Sequence, residues 1–486
     1  MSPIVLSVTI VAYFAILFTI SYIAGHKADN EGFFVGNHKS AWYIVAFAMI
    51  GSTISGVTFV SVPGMVQASS FSYLQMVLGF IVGQIIIAFV LVPLFYRMNL
   101  VSIYEFLENR FGSSSYKTGA WFFFISKMLG ASVRLFLVCL TLQLLIFKPF
   151  HLPFLLNVIL TVFIVWLYTF RGGVKSLIWT DVLKTFCLVV SVVLCIYYIA
   201  SSLHLNFNSL VTTLSDSDFS KTFFFDDVND KRYFFKQFLA GVFTVIAMNG
   251  LDQDMMQRNL SCKNFRDSQK NMITSGISQF FVILLFLMLG VLLYTFTAQQ
   301  GIKSDEIFPM IATGNYFPGI VGILFIIGLI ASAYSAAGSA LTALTTSFTV
   351  DILNAQKKGE AALSKIRKHV HIGMAIVMGI IIFVFNLLNN TSVIDAIYTL
   401  ASYTYGPILG LFAFGIFTKK QIYDKYIPPI AIASPVLCYI LQRNSEAWFN
   451  GYQISYELLL FNAAFTFTGL CFLIRKKSTI NNTTAL

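Results

Sequence analysis

The sequence predicts an all-α polytopic membrane protein with about 13 transmembrane helices. Three observations carry that prediction. Of 486 residues, 57% are hydrophobic and only 11% charged, with a mean hydropathy of +0.78; a water-soluble globule carries about 25% charged residues. The apolar residues gather into runs long enough to cross a bilayer at about 20 residues per crossing. The basic residues fall between those runs in alternate connections, so the net charge of +11 reads as an orientation signal rather than as a footprint for nucleic acid.

The runs succeed one another at 4–24, 41–69, 71–96, 118–147, 153–170, 176–202, 235–256, 272–297, 318–352, 370–388, 392–418, 426–442 and 452–474. The first has no basic lead and no small-residue cleavage site, so it is expected to stay as a helix. Lys27 and Lys39, Arg97 to Lys117, Arg171 and Lys175, Arg258 to Lys270, Lys357 to Lys368, Lys419 to Lys425 and Arg475 to Lys477 together hold about 22 of the 32 basic residues. That asymmetry puts the amino terminus outside and the carboxyl terminus in the cytoplasm of a plasma membrane, a bacterial inner membrane first of all. One outer connection is long and charged, with Asp216, Asp218, Asp226, Asp227 and Asp230, and is expected to be an irregular extracellular cap. The six cysteines are scattered without CxxC spacing, which indicates neither a disulfide frame nor a metal centre. The six histidines lie away from mid-span and are read as loop residues, and the tail after Lys477 is read as disordered.

Two runs contain interruptions. In the second, Gly51, Ser52, Thr53, Ser55, Gly56, Thr58, Ser61 and Pro63 concentrate at mid-membrane, where freed carbonyls need a cavity, an ion or a neighbour; the alternative is a Gly/Ser helix-packing seam. In the seventh, Gly241 to Thr244 and Asn249 to Gln253 break the pattern. The two lie five helices apart, and paired interruptions point to an inverted repeat with its site at the repeat interface. The chain then divides into a first helix and cytoplasmic loop (1–40), a first five-helix repeat (41–202), an extracellular loop (203–234), a second repeat (235–418), and two further helices with the tail (419–486).

Several side chains are candidates for chemistry. Asp181 sits inside the run 176–202, where a carboxylate costs on the order of 3 kcal/mol unless it meets a cation; an intrahelical pair with Lys184 is the rival to a bound ion. Ser332, Ser335, Ser339 and Thr342 share one helix face. Hydroxyls and freed carbonyls are hard donors that suit Na⁺, and the other reading is a small-residue face with serines bonded to their own helix. Arg134 is deep in the run 118–147, cannot snorkel from there, and wants an anion. Its guanidinium can hold a carboxylate with two parallel bonds; an internal partner such as Asp181 or a broken-helix carbonyl is the alternative. Tyr73 and Gln75 are candidates to reach the same cavity, Lys127 shares a face with Arg134, Phe59 and Phe243 are candidate apolar gates, and Asp252 with Arg258 is a candidate gate pair.

Taken together, Gly172-Gly173-Val174 with Trp179-Thr180-Asp181, the segment Phe47 to Pro63, Asp252-Gln253 with Gln257-Arg258, and Tyr334-Ser335 through Asp351 resemble the sodium:solute symporter family, over nearly the whole chain and in order. The resemblance implies a LeuT-type 5+5 inverted repeat with extra flanking helices. It implies a sodium held by the carbonyls of Gly51, Ile54 and Ser332 and the hydroxyl of Ser335, with Ala336 standing where the family has a second hydroxyl. It implies, for some sialic acid members, a second sodium at positions matching Asp181, Ser335 and Ser339, with Gly338 replacing a further ligand. It also places Arg134, Thr53, Ser55 and Thr58 near a bound sugar acid. The expected activity is sodium-coupled import of a small organic anion such as sialic acid by alternating access. Sugar, monocarboxylate or other sodium-coupled solutes, and proton coupling through Asp181, are the alternatives, and whether one or two sodium ions travel stays open. No constellation for enzyme catalysis and no charged pore ring is visible, and the partners implied are the solute, sodium ions and the bilayer, without nucleic acid or an obligate protein partner.

Overall fold

Inside hydrocarbon every backbone amide and carbonyl needs an internal partner, so long apolar runs fold as helices. A computed structural model describes residues 8–15, 19, 42–98, 103–169, 174–260, 262–297, 304–314, 316–353, 360–388 and 393–475. Its helices are α1 (Trp42–Thr53), α2 (Gly56–Ser69), α3 (Tyr73–Ile86), α4 (Val92–Met98), α5 (Glu105–Arg110), α6 (Ser113–Leu142), α7 (Phe154–Thr169), α8 (Val174–Ser202), α9 (Phe207–Ser215), α10 (Phe234–Val245), α11 (Gln253–Leu260), α12 (Phe265–Thr297), α13 (Ser304–Thr313), α14 (Gly319–Ser347), α15 (Glu360–Leu388), α16 (Val393–Phe417), α17 (Ile427–Trp448) and α18 (Leu458–Phe472). Each apolar run from residue 41 onward is occupied by helix. Among the described residues, seven helices are long and apolar enough to cross a membrane, and the bent pair α1 and α2 makes an eighth.

Helix α2 is the spine of the bundle. Every residue from Gly56 to Val66 is buried, and Phe59 stacks on Phe325 at 5.0–5.1 Å from its aromatic neighbours Phe308 and Phe325. Phe59 is therefore core, packed too tightly to be the gate that its position suggested. A side chain of that size, wholly desolvated, is worth about 3 kcal/mol of burial.

The packing of α10 on α3 corrects a second expectation. Gly241 is not part of a helix break: a Cβ there would come within 2.1 Å of the Met76 carbonyl oxygen, and one on Gly79 within 2.2 Å of the Phe238 oxygen. The two glycines lie against each other's helix so that the backbones can touch, as small residues do in membrane bundles. The interruption is confined to the turn after Gly250, where a π turn (Ile246–Gly250) ends and Leu251 and Asp252 separate it from α11.

Two other expectations are corrected here. The outer connection contains helix α9, capped by Asn206, whose side chain accepts the Ser209 N–H at 2.8 Å. In the same loop Arg232 donates to Asp230 at 2.7 Å, and these bonds hold the Asp230 carboxyl below the usual carboxylate range. The stretch between the eighth and ninth runs holds α13, which the acidic first turn Asp305 and Glu306 after Ser304 would have signalled. His371 is no loop residue; it lies buried in α15 and joins Thr169 of α7 at 3.0 Å to Thr345 of α14 at 2.9 Å. The six cysteines are free thiols.

Replacing Gly241 by leucine should drive its side chain into the Met76 carbonyl and lower stability by about 3 kcal/mol. Loss of the monodisperse peak on size exclusion and a lower melting temperature would register it, whereas an unchanged melt would contradict the close approach of α3 and α10.

Candidate functional site

The first break is built by local chemistry. The ladder of α1 closes with the Ile54 amide on the Ile50 carbonyl at 2.8 Å, and α2 starts afresh with Ser55 as its cap, accepting from the Thr58 amide at 3.4 Å. The two halves meet at 56°. Gly51 and Ile54 flank this bend, and carbonyls at a helix end have no following amide to accept from. Helix α14 lies directly against it, since a Cβ on Gly56 would be 3.6 Å from Ser332 Cβ. The Ser332 hydroxyl is fully buried and has no hydrogen-bond partner among the described residues; Ser335 is buried one turn further on. The bend and the serine face of α14 are therefore neighbours.

The second break is capped by Asp252. Its Oδ1 accepts the Asp254 amide at 2.9 Å and the Met255 amide at 3.2 Å, starting α11. The carbonyl of Leu251 accepts the Tyr104 hydroxyl at 2.9 Å. Both groups exposed by the interruption thus find partners inside the protein.

Between the breaks lies a cavity of about 100 Å³. Thr53, Ser55, Thr58 and Arg134 line it, together with Asn249 and Tyr398. No hydrogen bond or ion pair engages the Arg134 guanidinium among the described residues, so no broken-helix carbonyl holds it there; the side chain of Asp181, the other internal partner considered, lies outside those residues. Lys127 lines the cavity too but is spoken for: its Nζ donates to both oxygens of Asp252 at 3.0 and 2.9 Å and approaches Asp254 at 3.5 Å. Tyr405 donates to Asp252 Oδ2 at 3.0 Å. Arg258 does not pair with Asp252 as anticipated; its Nε is 3.4 Å from Asp254, and its other nitrogens donate to Ser52 and, at 3.1 Å, to Ser339. Asp252 is already saturated by Lys127, Tyr405 and its own helix cap, which leaves Asp254, one turn before Arg258, as the counter-ion.

Three anticipated contacts are not made. Gln75 is fully buried away from the cavity, donating to the Arg232 carbonyl at 2.8 Å and accepting the Phe224 amide at 3.2 Å, so it anchors the outer loop. Tyr73 sits one layer out, its hydroxyl 2.6 Å from that of Tyr398. Phe243 packs with the apolar cluster around Met49, Ile87 and Leu91, because Thr244 and Val245 of α10 and Met248 of the π turn that follows take the cavity face. The side chain of Asp181 lies outside the described residues, as does that of Asp351. Asp254 and Tyr405 were missed. The four-residue spacing of Asp254 and Arg258 carried a signal; Tyr405, an aromatic in an apolar helix, carried none.

A family model for the sodium:solute symporter family matches residues 33–423. The chain belongs to that family. Among curated relatives, the symporter is 24% identical to the sodium/sialic acid symporter NanT of Aliivibrio fischeri over 85% of this chain and 83% of that one. It is 23% identical to the human sodium/iodide cotransporter, over 81% and 62%, and 24% identical to the human sodium-coupled monocarboxylate transporter 1, over 85% and 67%. Among solved structures it superposes on a Na⁺-coupled sialic acid symporter in a substrate-bound outward-open state with a TM-score of 0.79 at 20% identity, covering 96% and 97% of the two chains. The symporter therefore has the all-helical LeuT-type transporter fold and is a sodium-coupled carrier, not an enzyme.

Lys127→Met should leave Asp252 buried with its charge uncompensated and cost about 3 to 5 kcal/mol. Adding Asp252→Asn should recover most of that loss, as read from melting temperatures of the singles and the double; additive losses would show that the two charges do not interact. Gln75→Ala should make the outer loop more sensitive to trypsin at Lys221 while solute affinity stays within about twofold.

Proposed function

We propose that the symporter imports a small carboxylate of the sialic acid kind, with the carboxylate on Arg134 and the polar remainder against Thr53, Ser55 and Thr58. The observation that carries this reading is the Arg134 guanidinium itself, a cation in a membrane-embedded cavity with no ion-pair or hydrogen-bond partner among the described residues. An uncompensated charge in that setting is costly, and a bidentate carboxylate offsets the cost with geometry that lysine could not match. The relatives lend a second support: iodide, monocarboxylates and sialic acids, named for three of them, are all anions. Phe243 and Gln75 do not belong to this reading, and Tyr73 contributes by orienting Tyr398.

Sodium fits the bend between α1 and α2. The carbonyls of Gly51, Ile54 and Ser332 and the hydroxyl of Ser335 form the coordinating set we assign, with the partnerless buried Ser332 side chain close by. Ala336 lines the cavity where a further hydroxyl is wanted, which makes water or a neighbouring oxygen the remaining ligand. Asp181 and Ser339 are assigned to a second ion by resemblance alone, and Ser339 is otherwise engaged with Asp254 and Arg258. Sodium binding at the bend stabilises the state in which α1 and α14 are held together, and the solute closes the cavity over itself. The paired breaks then let one five-helix repeat, 41–202, rock against the other, 235–418. The basic connections support a cytoplasmic position for the α1 and α11 ends of the cavity, and in this reading the Lys127–Asp252 pair closes the inward path.

Purified symporter in proteoliposomes should accumulate labelled sialic acid only with an inward sodium gradient; equal uptake in potassium or choline would defeat the coupling. Arg134→Ala should weaken carboxylate binding by about 100-fold, or about 3 kcal/mol, in a thermal-shift titration, and an unchanged affinity would remove the anion assignment. Ser335→Ala should raise the sodium concentration for half-maximal uptake about tenfold, the loss of roughly one hard ligand bond.

A further inference from the structure

We propose that a groove between α7 and α15 binds an anionic phospholipid, with an acyl chain lying along the groove and the headgroup phosphate on Lys365 and Lys368. The inference goes beyond the transport reading and stands apart from the choice of solute or coupling ion. The groove encloses about 570 Å³. Its ridges are Leu155, Ile159 and Phe163 on α7 and Ile372, Ile376 and Ile380 on α15, each set spaced by four residues and 45–57% exposed. Val158, Val162 and Ala375 lie buried beneath them. Gly379 keeps the floor low, since a Cβ there would meet only the Val162 and Val158 side chains, at 3.7 and 3.9 Å. A hydrogen bond between Thr169 and His371 at 3.0 Å joins the two helices at one end, just beyond Trp166 and Ile372. From Ile372 to Phe383, the lining of α15 covers about 17 Å of helix. That is roughly one leaflet of a hydrocarbon core about 30 Å thick.

Charge decides what occupies the groove. Lys365 and Lys368 precede Ile372 by seven and four residues, so they continue the face of Ile372, Ile376 and Ile380 past the bonded end. Both are exposed, as is Arg367 beside them. No Asp or Glu occurs in α7 or between Lys365 and the end of α15. An apolar channel one leaflet deep that ends in exposed lysines matches a molecule with an acyl chain at one end and an anionic head at the other. Trp166 lines the groove at the same end, as indole rings do at headgroup level. A second copy of the chain fits less well. Copies in one bilayer share one orientation, so a two-fold contact across this groove would set the lysines of one copy against those of the other.

The test is quenching of Trp166 fluorescence by brominated lipid in the full-length protein, reconstituted in phosphatidylcholine vesicles. Subtracting the signal of Trp166→Phe isolates that indole. Brominated phosphatidylglycerol should reach half-maximal quenching at a mole fraction about tenfold lower than brominated phosphatidylcholine. The double variant Lys365→Gln/Lys368→Gln should bring the two lipids level, and about 1 M KCl should do the same for wild type by screening. Gly379→Leu, whose side chain enters the groove, should reduce the quenching that either lipid achieves. Equal quenching by both lipids in wild type would overturn the proposal, because the groove would then hold ordinary bilayer lipid. So would a phosphatidylglycerol preference that survives both the double variant and the salt. Quenching by neither lipid would mean that protein covers the groove, a second copy first, and would equally overturn it. The wild-type comparison with and without salt decides the matter even if the lysine or glycine variants fail to fold, and it reads the same whichever solute or ion the protein carries.

Discussion

A backbone carbonyl or amide stranded in hydrocarbon has nowhere to turn, and this constraint shapes the symporter more than any single contact. Most of the chain meets it by staying helical. At two places it does not, and there the protein surrounds the gap with its own polar groups. Ser55 restarts the chain after Ile54, and Thr53 folds back onto the Met49 and Ile50 carbonyls at 3.0 Å. Asp252 caps the helix after Leu251, whose carbonyl takes the Tyr104 hydroxyl. Because each gap must be enclosed, the polar groups it exposes face inward, and the cavity between the gaps inherits a wall of hydroxyls and carbonyls.

Charge obeys the same logic. Of the ionised side chains described around the cavity, Lys127, Asp252, Asp254 and Arg258 neutralise one another through direct contacts. Such a network contributes little net stability, since desolvation offsets much of the attraction, but breaking it is costly. It therefore ties α6, α1, α11 and α14 together through buried charge. Arg134 is the exception, lining the cavity outside that balance. In the reading proposed above, an anionic solute supplies the missing negative charge, and empty and loaded forms then differ electrostatically at the cavity.

Tight packing turns those local differences into larger ones. Glycines 79 and 241 let α3 and α10 touch backbone to backbone, and Phe59 fills the space between α2, α12, α13 and α14. Interiors packed this closely have low compressibility and pass strain between elements.

The sequence by itself determined the class, the helix positions and the first broken helix, since hydropathy, basic-loop asymmetry and a cluster of Gly, Ser and Pro report directly on how backbone meets lipid. It also singled out Arg134, because a deep arginine is costly unless it faces a cavity, while Thr53, Ser55 and Thr58 came from the resemblance to the family. Pairings were another matter. That Arg258 turns to Asp254 and Ser339, that Lys127 belongs to Asp252, and that Gln75 holds a loop while Phe243 and Phe59 pack in the core depend on which faces α6, α10, α11 and α14 present to one another. Residues distant in the chain meet only through that packing, and a single chain's pattern encodes the face of each helix but not its neighbour.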